Sequence, residues 1–216
     1  MQKLDISKIT QCRLSPEQFF NEKHTKRQIY LHHTAGGGDA KSVARYFNKT
    51  TERVATAFIV GNSGEIVQCF SSQDWAYHLG LKSSIFTKHK LVYRSLDKTS
   101  VGIEICNWGP LRYSGGKYYN YVGGEVLPKD VIKLDSPFKK HLYWQKYTPE
   151  QIESTRQLLD YLCNTYDIPR SYNEDIFDIS LRALKGEAGI YTHNSVRTDK
   201  SDIFPQPDMV EMLKNL

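Results

Sequence analysis

Hydrophobic positions change their spacing several times along this chain, and each change marks an element. Ile29-Tyr30-Leu31 is an unbroken apolar run that closes on His32-His33-Thr34, the pattern of a buried strand over Gln28 to His33. After the turn Thr34-Ala35-Gly36-Gly37-Gly38, Asp39 is placed to cap a helix over about 40–49, with Val43 and Phe47 one turn apart on its inner face. Val54 to Val60 and Glu65 to Phe70 flank Gly61-Asn62-Ser63-Gly64 and predict a hairpin. Ser100 to Cys106 reads as a strand interrupted by one charge, Glu104, and Pro110 to Leu127, rich in Tyr and Gly, as a second hairpin.

Helical spacing dominates further on. Thr148-Pro149-Glu150-Gln151 combines an N-cap, a first-turn proline and a capping-box glutamine. Ile152, Leu158, Leu159 and Leu162 then form a stripe that predicts a helix ending near Tyr166, ahead of Pro169. Asn173 to Gly189 leaves room for a further helix, Ile190 to Thr192 is a short strand leading into His193, and Asp208 to Leu216 is a closing helix. Near the start, Ser15-Pro16-Glu17-Gln18 has the form of a short helix's first turn. Strands and helices alternate without repeats or a linker, which predicts one α/β domain.

Composition narrows the classes. With 216 residues, 39% of them hydrophobic, and 14 Tyr, 9 Phe and 3 Trp, the chain is long and apolar enough for a folded core. The net charge of +5 favours polyanionic surroundings, but no basic stripe is present, so nucleic acid is not an expected partner. Cys12, Cys69, Cys106 and Cys163 are scattered with no C-x-x-C pair, which fits buried reduced thiols rather than a disulfide scaffold or a cysteine-rich metal module. Residues 1–8 lack a continuous apolar stretch, so a Sec-type signal is not expected, and no segment has the length of a membrane span. The expectation is synthesis in the cytoplasm, no stable membrane insertion and a monomeric state.

Candidate chemistry gathers at two places. Thr192 to Asp202 carries His193, Lys200 and Asp202 in one polar loop, and His32 ends a strand far upstream. Two imidazoles and a carboxylate, with a fourth position left to water, are a ligand set for catalytic zinc. Neighbouring side chains on a strand face opposite ways, so only one of His32 and His33 is readily a ligand. Taken singly, each histidine is more readily structural, Asp202 a turn aspartate and Lys200 a solvated charge. Glu104, inside an apolar strand, is either a solvent-facing or ion-paired residue or a general base beside a metal-activated water.

Five segments, in this order, resemble the zinc-dependent N-acetylmuramoyl-L-alanine amidases, the family that also contains phage lysozyme-type amidases and peptidoglycan recognition proteins. They are Tyr30-Leu31-His32-His33-Thr34-Ala35, Phe58 to Gln68, Ala76-Tyr77-His78-Leu79-Gly80, Ser100 to Ile105, and His193 with Lys200-Ser201-Asp202. The resemblance spans roughly residues 27–207. It implies a single α/β domain with a mixed central β-sheet flanked by helices, and one Zn2+ held by His32, His193 and Asp202. It further implies Glu104 and Lys200 as catalytic residues and His78 near the substrate groove, with Thr56 and His33 as further groove candidates. Thr56 stands where some relatives carry a tyrosine, and Asp202-Ile203 replaces the usual Asp-Pro.

On this resemblance, residues 1–26 are an N-terminal extension packed on a catalytic domain over 27–216, with insertions near 107–146 and 170–189. Tyr113, Tyr118, Tyr119 and Tyr121 in the first insertion suit either a glycan platform or cross-strand packing. The implied activity is cleavage of the amide between N-acetylmuramic acid and L-alanine in peptidoglycan or a muropeptide, in a phage-type endolysin or other lytic amidase. A cytoplasmic recycling amidase and a non-catalytic peptidoglycan receptor are the alternatives.

Overall fold

In the computed structural model, which describes residues 3–50 and 52–216, β2 (Gln28–His33) lies inside a six-stranded sheet, and all six of its residues are buried. It runs parallel to β5 (Ser100–Ile105) on one side and to β11 (Gly189–Thr192) on the other. Strands covered on both faces carry near-continuous apolar runs, which is why β2 is legible in the sequence. The sheet order is β1-β4-β3-β5-β2-β11. β3 (Phe58–Val60) pairs antiparallel with β4 (Ile66–Gln68) and parallel with β5, while β1 (Thr10–Gln11) runs parallel to β4. The sheet is therefore mixed.

The hairpin is shorter than its apolar pattern predicts. Ala55 donates its backbone N–H to the Tyr77 carbonyl, and Tyr77 donates to that of Arg53, so this stretch pairs with the 75–77 loop instead of lengthening β3. At the other end of the chain's first segment, Ser15 makes no capping hydrogen bond, and Pro16–Gln18 forms only a single 3-10 turn. β1 and a bridge between Phe20 and Trp75 attach residues 10–20 to the sheet. Met1 and Gln2, the start of the expected extension, lie outside the described residues.

α1 (Ala40–Phe47) starts where Asp39 accepts the Lys41 N–H, and it buries Ala40, Ala44 and Phe47. Short helices α2 (Ser83–Lys88) and α3 (Leu96–Thr99) follow, and α3 runs directly into β5. α4 (Pro149–Tyr166) has the complete Thr148–Gln151 capping box and buries Ile152, Leu158, Leu159 and Leu162. The stretch 173–189 holds a 3-10 turn and one short helix, α5 (Leu181–Leu184). α6 (Pro207–Lys214) packs against α4. Trp144, Phe204 and Tyr147 stack in sequence, with ring centroids 4.6 and 4.9 Å apart, and tie the closing segment to the core. All four cysteines are free. Among the described residues no helix is long and apolar enough to cross a membrane.

Residues 110–145 build a second, wholly antiparallel sheet of order β8-β7-β6-β10-β9. β6 (Pro110–Ser114) and β7 (Lys117–Tyr119) form the expected hairpin around Gly115 and Gly116, both at positive φ. β8 (Glu125–Val126), β9 (Val131–Phe138) and β10 (His141–Gln145) were not legible as strands. β9 is an edge strand with mostly polar or half-exposed positions and a proline, and such strands leave little hydrophobic signal. Tyr113 and Tyr118 sit opposite each other and pack with Tyr143, so these tyrosines are cross-strand pairs. Tyr121 behaves differently: its hydroxyl donates to the Ala35 carbonyl across the fold.

Candidate metal centre and active-site cleft

β2 and β11 end side by side. Thr192 is in register with Leu31, so His193 emerges next to His32. The loop that follows folds back so that Asn194 bonds the backbone of both Asp202 and Ile203, which returns the Asp202 carboxylate to the two imidazoles. His32 Nδ1 lies 3.1 Å from His193 Nδ1 and 3.2 Å from Asp202 Oδ2, and His193 Nδ1 lies 3.0 Å from that same oxygen. The three residues are 2%, 5% and 7% exposed, so solvent does not explain their meeting.

The donor chemistry fits zinc. The other nitrogen of His193, Nε2, is 3.0 Å from the Leu79 carbonyl, which can only accept, so Nε2 carries the hydrogen of the neutral ring. The bare Nδ1 lone pair then faces a carboxylate oxygen and a second imidazole nitrogen. Three such atoms converging at 3.0–3.2 Å match the roughly 3.3 Å edge of a tetrahedron with bonds of about 2 Å. Two nitrogens and one oxygen are a zinc donor set with one vertex left open. Burial pushes His32 down to about 4, which keeps it neutral and able to ligate at ordinary pH.

Glu104 is paired in register with His32 on the neighbouring strand, so the two side chains share a sheet face. Its Oε2 is buried with no hydrogen-bond partner. Burial, reinforced by the charge of Asp202 and opposed by Lys200, raises the Glu104 carboxyl to about 8. Lys200 is half-buried, and its charge reaches His32, His33 and Glu104. The triad, Glu104 and Lys200 thus form one electrostatic unit.

Three expected groove residues are buried against protein instead. His33 points away from the triad: the Tyr147 hydroxyl is 3.4 Å from its Nδ1, and a Cβ on Gly109 would fall 2.7 Å from its Nε2. Thr56 is 2% exposed and donates its hydroxyl to the Phe58 carbonyl, 3.0 Å away. The His78 side chain is only 5% exposed and stands behind His32, its Nδ1 3.0 Å from His32 Nε2. Alternation on β2 and the packing of the 75–80 loop against β5 turn these groups inward, which sequence order does not reveal.

The cleft itself opens on the other side of Glu104. It encloses about 560 Å3 between the Gly36–Gly38 turn, α1 and the loops before β6 and after β7, and Glu104, Tyr46, Trp108, Tyr121 and Val122 line it. Trp108 and Tyr121 meet edge to face with centroids 5.9 Å apart. Trp108 and Tyr46 were missed as site residues. The available signal was Tyr46 on the outer face of an amphipathic helix, where a large aromatic ring is left 66% exposed.

No curated protein matches the chain. Among solved structures, PlyL aligns over 95% of this chain and 96% of its own at 13% identity and a TM-score of 0.55. The catalytic domain of XlyA covers 96% and 97% at 17% identity and 0.55. An AmpD derivative covers 100% and 98% at 14% identity and 0.53. At such identities the likeness establishes the fold, a single α/β domain with a mixed central sheet and flanking helices. Residues 22–207 match the family model described as N-acetylmuramoyl-L-alanine amidase, and since that is most of the chain, the protein belongs to the N-acetylmuramoyl-L-alanine amidase family.

Proposed function

We propose that this amidase is zinc-dependent and cuts the bond between the lactyl group of N-acetylmuramic acid and L-alanine, with His32, His193 and Asp202 as the metal ligands. The convergence of three buried donor atoms within 3.2 Å, beside a carboxylate oxygen that has no partner, carries the reading. Zinc held there supplies Lewis acidity, which polarises the scissile carbonyl and makes water a nucleophile near neutral pH. Glu104 accepts the proton from the attacking water on its unpartnered Oε2 and returns it to the departing amine of L-alanine. A carboxyl raised to about 8 suits both halves of that transfer, because proton affinity near the working pH favours giving as well as taking. Lys200 stabilises the negative charge that develops on the carbonyl oxygen. The cleft beyond Glu104 receives the substrate.

The setting we propose is lysis of the cell wall, as in an endolysin. One of the structures of like fold is a mutant endolysin from Bacillus subtilis, 17% identical with a TM-score of 0.55. A non-catalytic receptor is disfavoured because the ligand candidates, Glu104 and Lys200 are all present. Chelation with EDTA abolishes cleavage and added zinc restores it; full activity in a metal-stripped His193→Ala protein contradicts the proposal. Glu104→Ala keeps the metal and loses most turnover, and an unchanged rate removes Glu104 from the mechanism. Mass analysis of products from intact sacculi and from soluble anhydro-muropeptides settles the setting: activity on soluble fragments alone points to recycling rather than lysis.

A further inference from the structure

We propose that the dipeptide His78–Leu79, stapled by Asp97, is the positioning element that presents both zinc-binding imidazoles through Nδ1. The inference rests on the metal reading above and concerns residues outside the ligand set. One oxygen of Asp97, Oδ1, accepts the backbone N–H groups of both His78 and Leu79, at 2.8 and 2.9 Å. The two residues so held serve one imidazole each. The Leu79 carbonyl takes Nε2 of His193 at 3.0 Å, and Nδ1 of His78 takes Nε2 of His32 at 3.0 Å.

Proton positions in this network follow from what each group can do. The Leu96 carbonyl can only accept, so Ser100 spends its one hydroxyl hydrogen on it, at 2.8 Å. Ser100 Oγ, 2.9 Å from His78 Nε2, is left with lone pairs, which places the His78 hydrogen on Nε2. His78 Nδ1 is therefore an acceptor, and the only arrangement that makes a bond to His32 puts the His32 hydrogen on Nε2. The Nδ1 lone pair of His32 is then free on the side of His193 and Asp202. A chain of four groups, ending on the carbonyl of α3, thus dictates the tautomer of a ligand.

The packing is built to hold His78 in place. A Cβ on Gly102 of β5 would lie 3.0 Å from His78 Nδ1 and 2.7 Å from Thr56 Cγ2, so glycine is what lets the ring lie against the strand. His32 and His78 meet at 83° with centroids 5.1 Å apart, and Tyr30 closes on His78 from the same face. His78 touches neither the cleft nor the reacting atoms; it acts through His32.

The test measures Zn2+ itself. Zinc affinity of the full chain is taken by competition with a chelator of known affinity, and the His32 tautomer from long-range 1H–15N spectra of metal-free, 15N-histidine-labelled protein. His78→Ala weakens zinc binding by about 10–100-fold and lets His32 populate both tautomers. His78→Asn, whose side-chain oxygen can stand in for Nδ1 as acceptor, restores the Nε2–H form of His32 and most of the affinity. Zinc affinity within about twofold of wild type in His78→Ala, with His32 still in its Nε2–H form, overturns the proposal. If His78→Ala does not fold, Ser100→Ala carries the test, because freeing His78 Nε2 lets that ring invert its tautomer; an unmoved His32 tautomer there is equally fatal. A wild-type chain that takes up no zinc refutes the metal reading instead, and the spectra still judge the staple.

Discussion

Replacing Glu104 with glutamine changes the pH dependence of stability more than its level. In the metal-free protein the Glu104 carboxyl titrates near 8 rather than near 4.5, because it is buried beside Asp202. Between those two values the folded chain holds a proton that the unfolded chain has released. Stability therefore falls as pH rises through this window: the favourable contribution is complete below the unfolded value and is lost by the folded one. A difference of 3.5 units at about 1.4 kcal/mol each comes to about 5 kcal/mol, of which roughly 4 kcal/mol is lost between about pH 5 and pH 8.5. Glutamine is close in shape and does not ionise, so the Glu104→Gln protein escapes this loss. Asp202 and the histidines are common to both proteins and largely cancel in the comparison. Thermal melts in EDTA at both pH values measure the effect. At roughly 2–4 °C per kcal/mol for a chain of this size, the variant gains about 8–16 °C over wild type on going to the higher pH. A gap that does not change with pH refutes the raised proton affinity of Glu104 on which its taking and returning of a proton depends.

Three further substitutions probe the frame around the site. Gly109→Ala places a methyl group 2.7 Å from His33 Nε2 at a residue with φ of +76°, and lowers stability in urea by roughly 2 kcal/mol or more; a loss below about 0.5 kcal/mol argues against that contact. Thr148→Ala removes the cap of α4 and the hydroxyl bond to the Asn62 carbonyl, lowering stability by about 1–2 kcal/mol with kcat unchanged, as denaturation and steady-state rates check. Trp108→Ala strips one wall of the cleft 5.9 Å from Tyr121, so KM for muropeptide rises about tenfold while zinc affinity measured by chelator competition holds; an unchanged KM moves the substrate elsewhere.

Much of the frame could be read from local pattern. β2 and α4 stand in the chain almost as they stand in the fold, because a continuous apolar run and a capping box are properties of neighbouring residues. The second sheet could not be read beyond its first hairpin, since β9 lies at an edge and buries only Leu134 fully. The site divides the same way. Residue types and order pointed to His32, His193, Asp202, Glu104 and Lys200 as one constellation, and the fold brings them together. His78, Thr56 and His33 were misplaced as groove residues, because whether a loop histidine faces substrate or stands behind a ligand depends on Asp97, Ser100 and Gly102, and these are 19, 22 and 24 residues away from it in sequence.

The sequence by itself determined the α/β class, the central strand, the long capped helix and the types of the candidate donor groups, since hydrophobic period, capping and ligand chemistry are local. Only the tertiary structure decided which nitrogens of His32 and His193 face Asp202, which tyrosines line the cleft and which pack across strands, and how far Glu104 is buried. Those outcomes are set by partners from distant strands and loops: the parallel register of β2 with β5 and β11 brings His32, Glu104 and His193 to one end of these strands, and His78 and Leu79, held by Asp97, each meet one of the two rings.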